Sequence, residues 1–247
     1  MEPGKNIYFL SDAHLGSPDY KSSLQREKRL VSFLKQIQSS ASDIFFLGDL
    51  FDFWFEYRRV VPRGFTRLLG TLSELSDAGI RLHFFTGNHD IWLFDYLENE
   101  IGMTVYRRPA RLTLGQKEFF LAHGDGFDET DHRFKIIKKI FTCRILQWGF
   151  SRLHPNFAIW LAHSWSNRSR EKHGEDPFRE EEEPMVKYAR KHLLNRGYDY
   201  LIFGHRHCPV NYPLDDHTRL IILGDWLTHF SYAMFDGDTV TLGNKLQ

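Results

Sequence analysis

An α/β fold built on two β-sheets is what this 247-residue sequence predicts, and three observations carry the prediction. Short apolar runs alternate with stretches of helical periodicity between residues 7 and 85. Closely spaced strand-like runs, broken by glycines, follow Gly102 and return near the C-terminal end. Between these groups, residues 128 to about 196 hold no convincing strand and read as helical.

The elements follow in order. IYFL (7–10), DIFFL (43–47) and RLHFF (81–85) are aromatic and β-branched runs bounded by polar or glycine positions, as buried strands read. A helix over roughly 22–38 places Leu24, Leu30, Val31, Leu34 and Ile37 near one face, and another over roughly 63–78 ends at Gly79, a suitable C′ residue. Strand, helix, strand, helix, strand requires a parallel sheet. TVYR, ARLTLG and EFFLAHG, then YLIFGH, RLIILGD, SYAMF and DTVTL, are expected to form the second sheet. FKIIKKIFTCRILQWGF (134–150), NFAIWLAHSWSNRSREK (156–172) and Pro184 to Asn195 read as helices, the last with Pro at its start and Gly197 past its end. The charge run Arg179 to Glu183 reads as a solvated loop or first helical turn.

A hydrophobic content of 42% with 22 phenylalanines can build a substantial core, and the length suits one domain over 1–247 carrying a helical insert at about 128–196. Lys plus Arg equals Asp plus Glu at 32 each, so no basic excess points to nucleic acid, and an anionic ligand has to be held locally. Cys143 and Cys208 do not make a disulfide framework. The start MEPGKNIYFL becomes strand-like too soon for a signal peptide, and no apolar run reaches the roughly 18 residues of a spanning helix. A soluble cytoplasmic protein is expected, with attachment to a membrane surface left open.

The strand ends carry the chemistry. The run at 7–10 leads to Asp12 and His14, DIFFL leads to GDLFD with Asp49 and Asp52, and RLHFF leads to GNHD with Asn88 and His89. The carboxyl edge of an open α/β sheet is where ligands bind. EFFLAHGD adds His123 after a fourth strand, and YLIFGHRH adds His205 and His207 after a fifth. A lone Asp-x-His, Gly-Asp or Asn-His is an ordinary turn. Five such ends in succession are not what turns alone produce. Mixed carboxylate, carboxamide and imidazole donors suit Mn²⁺, Fe or Zn²⁺, whereas an all-oxygen set suits Mg²⁺ or Ca²⁺. Cys208, beside His207, is read as packing. The donors divide into two sites sharing one carboxylate, and two cations roughly 3.5 to 4 Å apart can clamp a phosphate ester during in-line displacement.

In this order DAH, GDLFD, GNHD, AHGD and GHRH resemble the signature of the calcineurin-like metallophosphoesterases, over residues 12 to 207. The resemblance implies an αββα fold, two sheets packed face to face with helices outside, and two divalent metals, Mn²⁺ foremost with Fe or Zn²⁺ as alternatives. It implies a first metal on Asp12, His14, Asp49 and His207 and a second on Asp49, Asn88, His123 and His205, with Asp49 bridging. His89 matches the family histidine that contacts the substrate phosphate and can protonate the leaving group, and Asp52 matches the carboxylate that orients it. AHGD followed by Asp131, the helical insert, GHRHCP and LGDW (223–226) are similar to one branch of the family. That branch cleaves the diphosphate of UDP-2,3-diacylglucosamine in lipid A biosynthesis, releasing UMP and 2,3-diacylglucosamine 1-phosphate. In its best-known form an arginine stands where this chain has His89.

The insert adds a separate hint. Phe134, Ile137, Ile140, Phe141, Ile145 and Trp148 recur at helical spacing among Lys135, Lys138, Lys139 and Arg144. Such a stripe is ordinarily core, yet a lid outside a two-sheet body has little core to face, and Trp160 and Trp165 add further apolar bulk. It suits a substrate with acyl chains and a charged head, which the resemblance implies is the UDP-linked, acylated glucosamine, and it could equally dock a membrane surface, expected to be the cytoplasmic face of an inner membrane. Substrate contacts are expected at Asn88, His89, Asp131, Arg168 and Lys172, although solvation also explains the last two. The histidines at 83, 132, 154, 163, 173, 192, 217 and 229 have no motif support and are expected to be structural or exposed. Diphosphate hydrolysis of the acylated UDP-sugar is the expected activity. A phosphodiesterase or phosphatase acting on a soluble nucleotide or phosphoprotein is the enzymatic alternative. A metal-free binding scaffold is the non-enzymatic one, and seven filled ligand positions argue against it.

Overall fold

Strands that are apolar on both faces must be covered on both faces, and this decides the layering. The computed structural model describes residues 4–170 and 177–244, the side chains of 163 and 165–170 excepted. In chain order the strands are β1 (Asn6–Leu10), β2 (Ala41–Leu47), β3 (Arg81–Phe85), β4 (Thr104–Tyr106), β5 (Ala110–Leu114) and β6 (Lys117–Ala122). Then come β7 (Tyr200–Phe203), β8 (Val210–Pro213), β9 (Arg219–Ile222), β10 (Ser231–Phe235) and β11 (Val240–Asn244). The helices are α1 (Tyr20–Ile37), α2 (Thr66–Asp77), α3 (His132–Thr142), α4 (Arg144–Phe150), α5 (Pro155–Arg170) and α6 (Pro184–His192). One sheet has the order β11-β10-β1-β2-β3-β4 and the other β5-β6-β7-β9-β8. Strands β1 to β4 are mutually parallel, as are β6, β7 and β9.

Side chains alternate across the strands with period two. Ile7, Phe9, Phe45, Leu47 and Phe85 point between the sheets, where they meet Phe119, Leu121, Ile202, Ile221 and Leu223. Their chain neighbours Tyr8, Leu10, Ile44, Phe46 and Phe84 point outward, against Leu30, Phe33 and Leu34 of α1 and Leu68 and Leu72 of α2. On the far side, Phe120, Leu201, Phe203 and Ile222 pack against Met185, Val186 and Ala189 of α6. The layers are therefore helix, sheet, sheet, helix, and the carboxyl ends of β1, β2, β3, β6 and β7 carry the five motifs.

Two buried glutamates supply caps that the neighbouring sequence lacks. Helix α2 begins after Phe65, which offers no side-chain cap, and Glu27 of α1 reaches across so that Oε1 accepts from the N–H groups of Arg67 and Leu68 at 2.9 and 3.1 Å. Glu56 Oε2 accepts from Phe94, Asp95 and Tyr96 N–H at 2.8, 2.7 and 3.2 Å, while its Oε1 takes Trp54 Nε1 at 3.0 Å.

Sheet membership differs from the expectation in three strands. TVYR, SYAMF and DTVTL, grouped above with the second sheet, are β4, β10 and β11 of the first. Strand β10 pairs antiparallel with β1 and covers the edge that the parallel strands leave open, a pairing choice that a local pattern does not encode. VNYP forms β8, an edge strand where its proline removes no ladder bond that the sheet needs. The helix expected over 134–150 breaks at Cys143, which is extended at φ −71° and ψ 116°. The Phe141 carbonyl is taken out of the helical ladder there by Trp92 Nε1 at 2.6 Å and Gln147 Nε2 at 2.8 Å.

The break also splits the apolar stripe. Phe141 and Phe150 dock on a ring cluster of Phe53, Phe55 and Trp92, and Phe134 and Ile137 are half-buried. Ile136, Ile140, Ile145, Leu146 and Trp148 are exposed, as are Phe157 and Trp160 of α5.

Removing the Glu27 carboxylate leaves the first-turn donors of α2 without an acceptor. Glu27→Ala is expected to lower unfolding stability by about 1–3 kcal/mol, read as a lower denaturant midpoint at unchanged slope. An unaltered midpoint would show that water satisfies those donors equally well.

Candidate metal centre

The strand-end loops turn back on themselves through backbone conformations that side chains rarely adopt. Asp12, His14, Asp49, His205 and His207 all have positive φ, between 41° and 69°. Neighbouring chain holds them there: His14 N–H donates to Asp49 O at 2.9 Å, Trp226 N–H to Asp12 O at 3.1 Å, and Gly204 N–H to His123 O at 2.9 Å. Glycine precedes the ligands because there is no room for a side chain. A Cβ on Gly87 would lie 2.7 Å from the Asp49 backbone nitrogen, and one on Gly204 would lie 2.0 Å from Ser11 Oγ.

Asp12, His14 and His207 converge as one donor cluster. His14 Nε2 and His207 Nε2 face each other at 3.1 Å. Asp12 Oδ1 lies 3.3 Å from His207 Nε2 and 3.7 Å from His14 Nε2, misaligned for hydrogen bonding and without such a partner among the described residues. A buried, unpartnered carboxylate oxygen beside two converging imidazole nitrogens fits a cation held between them. Behind His207, Asp225 Oδ2 sits 3.5 Å from Nδ1, and Asp225 is itself held by the N–H groups of Leu227, Thr228 and His229.

Asp49, His123 and His205 form the second cluster. His123 Nδ1 donates to Leu47 O at 2.7 Å, so Nδ1 keeps its proton and Nε2 is the nitrogen that faces the site and can become a ligand once deprotonated. That Nε2 is 3.3 Å from Asn88 Oδ1 and 3.3 Å from Asp49 Oδ2. The same Asp49 oxygen is 3.8 Å from His14 Nε2 of the first cluster, so one carboxylate stands between both. His205 is placed by its own N–H, which donates to Asp12 Oδ2 at 2.9 Å.

The carboxylates and imidazoles of the centre shift one another's protonation. Burial alone would raise Asp12 and Asp49, but His207 beside the first and His123 beside the second hold both carboxyls well below the usual range. Burial opposes the charged form of His207 and His123 too, yet Asp12 with Asp225 pushes His207 up to about 10, and Asp49 raises His123 well above an ordinary histidine. His14 falls to about 3 through burial, and His205 to about 4 through burial and the nearby His123 charge. Positive charge is thus favoured on His207 and His123, beside the carboxylates that cations would neutralise.

The remaining expected residues are placed as follows. His89 Nδ1 donates to the backbone oxygen of Asp52 at 2.9 Å, while the Asp52 carboxylate is 3.7 Å from both His89 Nδ1 and His14 Nδ1. Asp52 therefore orients His89 mainly through its carbonyl. His89 also lies within the donor cluster of His14 and Asp49. Asp131 caps α3, accepting from Phe134 N–H at 2.9 Å, and is exposed. The Arg168 side chain and Lys172 lie outside the described residues, as do the side chains of His163 and Trp165 and the whole of His173. Asp225 and Asp90 were missed by sequence reasoning. Asp90 accepts from Leu50 N–H at 2.9 Å and Gly87 N–H at 2.7 Å, tying GDLFD to GNHD. Gly-Asp after RLIIL was the available signal for Asp225.

Because His207 and His123 hold protons at neutral pH that a cation must displace, metal loading should release protons and weaken as pH falls. Calorimetric titration with Mn²⁺ in buffers of different ionisation enthalpy checks this. Uptake with no buffer dependence would mean that the imidazoles are already neutral.

The chain is similar to known proteins over nearly its whole length. The calcineurin-like phosphoesterase profile matches residues 5–209. A Porphyromonas gingivalis protein named UDP-2,3-diacylglucosamine hydrolase is 41% identical, covering 96% of each chain. An Edwardsiella ictaluri protein of the same name is 27% identical over 95% of this chain and 90% of its own. Among solved structures, Yfce, a phosphoesterase from E. coli, has a TM-score of 0.46 at 16% identity, covering 97% of this chain and 92% of that one. The match runs through all five motif-bearing strand ends, and the chain belongs to the calcineurin-like phosphoesterase family.

Proposed function

We propose that this hydrolase cleaves the diphosphate of UDP-2,3-diacylglucosamine, giving UMP and 2,3-diacylglucosamine 1-phosphate. The observation that carries the substrate is the 41% identity to the Porphyromonas gingivalis hydrolase across 96% of both chains. Asp12, His14, Asp49 and His207 would hold one divalent cation and Asp49, Asn88, His123 and His205 a second, the mixed donors suiting Mn²⁺, the ion proposed, as well as the alternatives Fe and Zn²⁺. When bound, the cations supply Lewis-acid charge for the phosphate oxygens and make the attacking water acidic enough to react at neutral pH.

The chain's own residues do the rest. Asp49 spaces and neutralises the two positions from between them. With Nδ1–H held by Asp52 O, His89 in its imidazolium form presents Nε2–H to the departing phosphate oxygen and is left as the neutral Nδ1–H tautomer, which a proton from the attacking water restores. Water adds to one phosphorus, the bridging P–O bond breaks, and that oxygen leaves protonated. Exposed Ile136, Ile140, Ile145, Leu146 and Trp148 on α3 and α4 offer apolar surface for acyl chains beside the centre, since Phe134 of α3 lies 6.3 Å from the His205 ring. Lys139 and Arg144 among them also suit attachment to an anionic cytoplasmic membrane face. No described helix is long and apolar enough to cross a membrane.

Mass spectrometry of products from UDP-2,3-diacylglucosamine tests the reading: UMP plus the sugar 1-phosphate is expected. Faster turnover of a soluble nucleotide or phosphoprotein would replace the substrate. Ile145→Ser with Trp148→Ser should lower efficiency on the acylated substrate by about tenfold to a hundredfold, with a small chromogenic phosphodiester nearly unaffected. Equal loss on both, with a sharply lower melting temperature, would make these residues packing. His89→Ala should slow turnover by about 10² to 10⁴ while metal content stays at the wild-type level. Loss of metal in that variant would make His89 a ligand.

A further inference from the structure

The run Arg179 to Glu183 is not uniformly solvated. Glu183 is fully buried, and both of its oxygens meet the Arg206 guanidinium, Nε to Oε1 at 2.7 Å and Nη2 to Oε2 at 3.2 Å. Arg206 stands between His205 and His207, whose ligand atoms belong to different clusters and whose backbones are both left-handed, at φ 69° and 54°. Three successive residues of this loop are thus gripped by three carboxylates from distant elements. Asp12 takes the N–H of His205, Glu183 takes the guanidinium of Arg206, and Asp225 faces Nδ1 of His207.

Glu183 directly precedes Pro184, the first residue of α6. The same helical turn reaches the loop after His123, because a Cβ on Gly124 would lie 2.4 Å from Met185 Cε. One end of α6 therefore abuts both loops through which the second sheet supplies imidazoles.

We infer that Glu183 is a positioning residue for the metal centre: through its bidentate pair with Arg206 it holds the His205-Arg206-His207 loop in the strained geometry that sends its two imidazoles to two different cations. This deepens the two-metal reading and rests on it. A buried ion pair is weak evidence for stability, since an apolar replacement of both partners is often neutral. Its placement between two ligands, by contrast, bears on metal affinity, where outer partners typically count for roughly ten- to a hundredfold.

The test is calorimetric Mn²⁺ titration of the metal-stripped full chain, without substrate, with melting temperature measured alongside. Glu183→Gln keeps the shape and removes the charge, and should weaken Mn²⁺ binding at least about tenfold. The double variant Glu183→Met with Arg206→Met replaces both members of the pair by apolar side chains, and should recover the melting temperature while Mn²⁺ binding stays weakened. Wild-type affinity in the double variant, or in Glu183→Gln, would overturn the inference and leave the pair a packing feature. Wild-type protein that binds no divalent cation would instead overturn the two-metal reading itself.

Discussion

The structure depends on one buried carboxylate. Asp49 is 1% exposed, at the end of a first-sheet strand, and its Oδ2 lies 3.3 Å from His123 Nε2 of the second sheet. A carboxylate withdrawn from water is stable only when it is well paired, and here the partners come from three different loops. Oδ1 accepts from His89 N–H at 2.9 Å, and Oδ2 faces His123 and His14. The sheets must therefore stack at one spacing and one offset. The ring stack of Phe9 on Phe119, 5.9 Å between centroids, sets that spacing from within the sandwich.

Backbone strain is concentrated where the candidate ligands are. Five candidate ligands sit at positive φ, each at a cost of about 1–3 kcal/mol, and such conformations persist only where the surroundings over-determine them. The phenylalanine-rich layer between the sheets and the backbone bonds linking loop to loop provide that surplus. Asp90, Asp225 and Glu183 add to it, each buried and each holding a loop that bears candidate ligands without itself belonging to a donor cluster.

Helices α3 and α4 follow different physics. No residue of either is buried, and their anchorage includes a few rings on Trp92, Phe53 and Phe55, one indole hydrogen bond to Phe141 O and the Lys138–Asp125 ion pair. Few buried contacts place these helices at the low-stability end of the molecule, where adaptation to a ligand costs least. A rigid centre beneath a lightly held apolar cover suits a substrate with a compact diphosphate and long chains.

How legible each part was depends on the range of the interaction that fixes it. Strands ending in Asp12, Asp49, Asn88, His123 and His205 were readable because apolar runs and the turns that close them are local in sequence, and the donor types followed from chemistry. The role of Asp131 was not, because an acid beside a site and an acid capping a helix look alike until Phe134 N–H is seen to donate to it. Nor was the sheet of β10, whose alternation fits either sheet and whose place is set by pairing with β1 across more than two hundred residues. By itself the sequence determined which residues could bind metal and in what order the strands present them. Only the tertiary structure decided that Asp49 stands between two clusters, that Leu47 O fixes the His123 tautomer, and that Glu183 grips the loop between two ligands. Those facts rest on contacts between segments dozens to nearly two hundred residues apart, for which local periodicity carries no signal.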